Sequence, residues 1–367
     1  MKRHRQRLPS SGRLTGVSFT ALLLVGSLVA REFKLPEPGY PWAFPRDHAN
    51  HAEYGVEWWY FTGHLLPTGA DPDDDAWIHL ELTFFRTSLK GTNSGELYFS
   101  HFAISGPSQP FRYSEAIARG TLGEAGAEED VLHVWIDTWQ VSLIDSVFVL
   151  LANDPEVGGI RLIATAQCEP VLHGERGFSP KGEGNSEASN YYSIPRMSVT
   201  GLYLPPEGAE NRSAVPVQGR LWMDHEFGNQ QLGTGLVGWD WWGLELPGGD
   251  ALMFYLIRDR EGNPIPQSEG TWMPKDGPAS RVSLDDVTIT PLETWTSPHS
   301  GATYPHGWHM VIPTLNLDLT IEPVMQDQEL RTDRSTRVTY YEGAVRVTRV
   351  GYTGSSHGFV ELVGYDQ

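Results

Sequence analysis

The chain has 367 residues, 40% of them hydrophobic and 11% aromatic, so it can bury a sizeable core and is too rich in aromatics for global disorder. Lys and Arg total 27 against 46 Asp and Glu, a formal net charge of −19; a surface of that sign repels phosphates and argues against nucleic acid as a partner. The one cysteine, Cys168, excludes an intrachain disulfide and a cysteine-built metal cluster.

Residues 1–30 carry Lys2, Arg3, Arg5, Arg7 and Arg13, no acid, and an apolar run from Val17 to Ala30. A basic region followed by a short apolar stretch reads as an export signal, which would place the protein in the periplasm, the cell envelope or outside the cell. An uncleaved anchor that keeps it near a membrane is the alternative. Residues 31–43 are Pro-rich and read as a linker.

From there period-two patterns dominate. In Trp77–Phe85, Ile78, Leu80, Leu82 and Phe84 share one face while His79 and Glu81 lie on the other. Similar alternation recurs at residues 97–104, 131–136, 141–151, 160–168, 199–204, 217–227, 251–258, 282–289, 315–321, 339–347 and 360–365, separated by Gly, Pro, Asn and Asp clusters. Many short strands at even spacing predict an all-β sandwich or barrel. A weak repeat divides the chain. Glu57-Trp58-Trp59-Tyr60 and Trp239-Asp240-Trp241-Trp242 each open a strand, a turn and a second strand ending in Arg86 or Arg258. With Pro205-Pro206 as the boundary, the domains are 44–205 and 206–367.

The densest polar and aromatic segment is Arg220-Leu221-Trp222-Met223-Asp224-His225-Glu226. On a strand, Arg220, Trp222, Asp224 and Glu226 point one way, and Leu221, Met223 and His225 the other. An acid beside an indole on an inward face is desolvated, which raises its pKa and suits proton donation to an alkene. The competing reading pairs Arg220 with Glu226 on an exposed face. Glu57, Trp59 and Phe61 share a second such face, with Trp58 and Tyr60 opposite. Trp walls pack barrel ends, and they also stabilise carbocations. Thirteen histidines offer no metal-site spacing, and no Gly-x-Ser-x-Gly or phosphate loop is present. The metal reading that stays open is a bound water near His48, His51 and Glu57.

Several motifs in order resemble one family. Phe44-Pro45-Arg46-Asp47-His48, Glu57–Leu65, Ala188–Met197, Trp222–Gly228, Gly238–Trp242, Tyr341–Val345 and Gly358–Tyr365 are similar to the AttH-like, lipocalin-like family, often labelled "predicted secreted hydrolase" and grouped with carotenoid 1,2-hydratase (hydroxyneurosporene synthase). The resemblance implies two tandem lipocalin-like antiparallel β-barrels, a hydrophobic ligand between them, and no cofactor. It implies water addition to an isoprenoid double bond, with Asp224 inheriting the proton-donor role of an Asp two residues after an aromatic. That aromatic is Trp222 here and Tyr in the hydratase. The catalytic set expected is Asp224, with Glu226, His225, Glu57 and Asp240 as supporting groups. The ligand-binding set is Trp58, Trp59, Tyr60, Tyr192, Trp222, Trp239 and Trp241. A non-catalytic carrier of an isoprenoid, polyene or other lipid is the alternative, and a metal-dependent hydrolase the second.

Overall fold

The structure is a computed structural model and describes residues 33–72, 76–88, 95–106, 109–229, 232–233 and 235–366. The predicted export segment lies outside these residues. Almost every element is a strand, as the alternation predicts, and every pairing is antiparallel. Two sheets result: thirteen strands in the first and ten in the second. The first curls into a nearly closed barrel and the second into a half-barrel, the tandem lipocalin-like arrangement.

The first sheet begins with the meander Val56–Pro67, Ile78–Ser88, Glu96–Gly106 and Gln109–Arg119. It is completed through Val215–Gly228, which pairs with Val56–Pro67 on one side and with the long strand Ala188–Leu204 on the other. This corrects the domain boundary expected at 205/206. The strand Val215–Gly228 belongs to the first barrel, and the chain enters the second sheet only at Leu236–Glu245. The Pro205-Pro206 turn is an ordinary hairpin connection, because the strand after it folds back onto the strand before it.

Alternation sets the faces. Trp59, Phe61, Leu80, Leu82, Phe84, Leu221 and Met223 fill the core of the first barrel. Their neighbours Tyr60 and Trp222 point outward and pack with Tyr191, Trp241, Met253, Tyr255 and Phe359 between the two barrels. The second barrel has its own core around Trp242, Phe254, Trp308 and Tyr341. Polar bonds cross the seam as well: Ser179 Oγ to the Tyr255 hydroxyl at 2.9 Å, Arg220 to Glu245 at 2.6 Å and Ser105 Oγ to Gln328 at 3.2 Å. Along Ala188–Leu204 the register slips between Ile194 and Met197, a bulge at Pro195, which has no N–H for a ladder bond. The bulge sends Arg196 to the second barrel, where it donates to the carbonyls of Met273 and Pro274 at 3.2 and 3.3 Å.

Candidate active site

The outward face of the first sheet forms the floor of a cavity whose roof is the second sheet. Across adjacent floor strands, Asp224 stands opposite Tyr60, Tyr60 opposite Thr83, and Thr83 opposite His101. A parallel row runs Glu226, Trp58, Phe85. The roof carries Tyr255, Trp241 and Glu361 in register. All of these line one cavity of about 980 Å³ of atom-free space, part of it open to solvent, with Tyr191, Leu232, Trp239, Ile257, Val338 and Val363 completing a mainly apolar wall. Gly243 helps shape the roof: a Cβ there would stand 2.2 Å from the Trp241 indole, so the ring lies across the glycine.

Asp224 is 4% exposed and receives three donors. The Tyr191 hydroxyl reaches Oδ2 at 2.5 Å, Trp222 Nε1 reaches Oδ1 at 2.6 Å, and Ser193 Oγ also donates to Oδ1. All three donors are neutral. Burial therefore dominates, and the three hydrogen bonds offset it only in part. The carboxyl is pushed up to about 7, helped by the nearby Glu226 charge. Tyr191 is itself fixed by Trp241 Nε1 at 3.1 Å, and Ser193 by His173 Nε2 at 2.6 Å. His173 is held by Thr271 Oγ1 of the second barrel at 2.8 Å. Glu226 is paired with Lys181 Nζ at 3.3 Å and takes the Ser189 hydroxyl. The Lys181 ammonium lies 4.0 Å from the centre of the Tyr255 ring.

Of the expected set, the structure gathers Asp224, Glu226, Trp58, Tyr60, Trp239 and Trp241 on the cavity wall. Trp222 packs directly behind Asp224, its ring 6.1 Å from Trp241. The others are placed elsewhere. Glu57, Trp59, His225 and Tyr192 point into the first barrel, one residue out of phase with the cavity face. Trp59 stacks on His225 at 5.0 Å. Asp240 faces Arg258 at 3.1 Å and the Tyr365 hydroxyl at 3.0 Å, away from the cavity. These four groups, with Asp240, pack within the barrels and do not line the cleft.

Among the described residues, His51, Glu57 and His225 form the group whose ligand atoms converge closely enough to hold a metal ion. Most of their ligand atoms are already engaged, although His51 Nε2 makes no hydrogen bond and lies 3.4 Å from Asp47 Oδ1. Glu57 Oε1 bonds His51 Nδ1 and His225 Nε2, each at 2.8 Å, and Oε2 bonds Arg86 at 3.1 and 3.2 Å. Burial would raise the Glu57 carboxyl, but His51, His225 and Arg86 outweigh it and hold it well below the usual range. The cluster is charge-compensated by an arginine, which is what a structural ionic knot needs and a metal centre does not. His48, the other histidine of the metal reading, bonds the Tyr192 hydroxyl through Nδ1 at 2.6 Å.

Sequence reasoning missed Tyr191, Ser193, His173, Lys181 and the cavity-lining acids Glu81 and Glu361. Tyr191 supplies to Asp224 the phenolic hydroxyl that Trp222 cannot. Its signal was the alternation in Asn190-Tyr191-Tyr192-Ser193, which puts Tyr191 and Ser193 on one face once that strand is paired with Val215–Gly228.

A buried acid with neutral donors, in an aromatic cleft between two lipocalin-like barrels, places the chain among tandem lipocalin-like proteins. Among these the chain belongs to the AttH-like family, whose model matches residues 35–365. The crystal structure of an AttH-family protein from Nitrosomonas europaea is 30% identical, with a TM-score of 0.81, and covers 91% of this chain and 99% of that one. Kievitone hydratase from Nectria haematococca shares the fold at 15% identity and a TM-score of 0.65, over 90% of this chain and 98% of its own. CghA in complex with Sch210972 does so at 12% and 0.56, over 86% and 89%. No curated protein sequence matches significantly.

Proposed function

We propose that the protein is an exported, cofactor-free hydro-lyase that holds an apolar, alkene-bearing molecule of isoprenoid or polyene type between its barrels and adds water to a C=C bond. The observation that carries this reading is the Asp224 carboxyl, buried on the cavity wall and pushed up to about 7. A carboxyl so placed is substantially protonated near neutral pH, as a general acid toward an unactivated alkene must be. Kievitone hydratase, which shares the fold, is by name a hydratase, and the reaction class proposed here is the one that name gives.

The chemistry balances without another reagent. The Asp224 proton passes to the less substituted alkene carbon and leaves a tertiary cation beside the Trp58, Trp239 and Trp241 rings. A water attacks the cation, and its surplus proton returns to the Asp224 carboxylate. The donors on Asp224 stabilise the anion between the two transfers. Lys181 fixes Glu226 so that its charge stays close to, and separate from, the reacting carboxyl.

The test has two arms. Solvent extraction of the purified protein followed by mass spectrometry identifies the retained molecule. Incubation then shows a mass gain of one water with wild type and none with Asp224→Asn. Unmodified lipid retained in stoichiometric amount, with no conversion by wild type, makes the protein a carrier instead.

A further inference from the structure

The end of the cavity away from Asp224 is not apolar. Glu81 lies there, 1% exposed, with Oε1 accepting from Thr83 Oγ1 at 2.7 Å. The Tyr340 hydroxyl, met by His101 Nδ1 at 2.7 Å, also acts on this carboxyl as a donor, while Glu81 Oε2 makes no hydrogen bond of ordinary geometry. Across the seam, Glu342 takes the Tyr60 hydroxyl at 2.6 Å on one oxygen and has an unpartnered, buried Oε2 as well. It stands opposite the cavity-lining Glu361 on the neighbouring strand. Among the described residues, the groups acting on these three carboxyls are other carboxylates, hydroxyls and the Trp239 indole, with no Lys or Arg.

A hydrocarbon guest would leave Glu81 Oε2 orphaned, at the cost of an unmade buried hydrogen bond. A cationic guest would need one of the three carboxyls ionised in a buried site with no Lys or Arg beside it, a desolvation cost that a neutral guest avoids. A guest oxygen that is neutral answers both problems, since burial keeps these acids protonated: Glu81 is pushed up to about 7 and Glu361 to about 8.

We propose that Glu81 is the specificity-determining residue of the cleft and that it hydrogen-bonds a neutral hydroxyl or carbonyl oxygen at the far end of the ligand, so that the substrate is an oxygenated amphiphile and not a hydrocarbon. The inference rests on the cleft being the ligand site, as proposed above. The sheet register gives it a length. Glu81 lies two strands across and two residues along from Asp224, roughly 12 Å at the backbone. The reacting double bond and the oxygen are then separated by roughly ten bonds of extended chain.

Calorimetric titration of the full chain at neutral pH with farnesol, farnesene and farnesylamine tests this. Wild type is expected to bind farnesol on the order of tenfold more tightly than farnesene, the worth of one satisfied buried hydrogen bond. Glu81→Leu should remove that preference while still binding farnesene, which also shows that the variant is folded. Equal wild-type affinity for farnesol and farnesene overturns the inference and leaves the apolar-cleft reading standing. Tightest binding of farnesylamine overturns it in favour of a cation site. Binding of none of the three overturns both readings.

Discussion

Glu57 and Asp224 are two buried carboxyls on paired strands, and they have opposite fates. Glu57 points into the first barrel, meets Arg86, His51 and His225, and is held ionised. Asp224 points out of it, meets only neutral donors, and is pushed up to about 7. Burial is shared, so burial does not decide which group can act as an acid. The charge of the partners does. One residue of phase along a strand separates a structural anion from a carboxyl that can hold its proton near neutral pH.

Substitutions can break that contrast. The largest effect expected is on turnover: Asp224→Asn should lower kcat by about 10²–10⁴-fold, read as product formed from a confirmed substrate, with the fold intact. The same change should raise the melting temperature at about pH 8. An acid whose pKa is raised on folding contributes stability that is lost as pH climbs through the folded value, here about 7, and the amide does not titrate. Arg86→Met attacks the other carboxyl and should cost about 3–5 kcal/mol in chemical denaturation, because it removes one partner of a fully buried ion pair and leaves the His51 and Tyr54 carbonyls without their donor.

Smaller effects sharpen the comparison. Tyr191→Phe removes a donor that lowers the Asp224 pKa, so the carboxyl should titrate at higher pH than in wild type. The basic limb of the pH–rate profile, or the ¹³C shift of labelled aspartate, reports it; a downward move would show that Tyr191 does not act as this donor. Glu81→Gln should gain a few degrees of melting temperature over wild type at about pH 8 and little at about pH 5, because the Glu81 carboxyl is raised to about 7. An equal gain at both values would mean that Glu81 does not titrate in that window.

Much of this was legible in the sequence. Alternation in Arg220–Glu226 put Trp222, Asp224 and Glu226 on one face and His225 on the other, and the structure keeps that division. The same logic placed Glu57 with Trp59 and Phe61, a core-facing set, so its assignment to catalysis went against the pattern. What the pattern does not carry is which strand lies beside which. Tyr191 and Ser193 become partners of Asp224 through pairing across 33 and 31 residues of chain. Glu81 and Glu361 meet only because two barrels dock. The return of Val215–Gly228 to the first sheet, past a Pro-Pro turn that looks like a linker, was hidden for the same reason.

The bulge at Pro195 has a mechanical consequence. The guanidinium it aims at the Met273 and Pro274 carbonyls rivets the long strand of one barrel to a hairpin of the other. With the bonds of His173 to Thr271, Ser179 to Tyr255, Tyr60 to Glu342 and Ser105 to Gln328, it makes the seam a line of separate polar ties, so the two barrels are held together along the rim of the cleft and not only through its apolar wall.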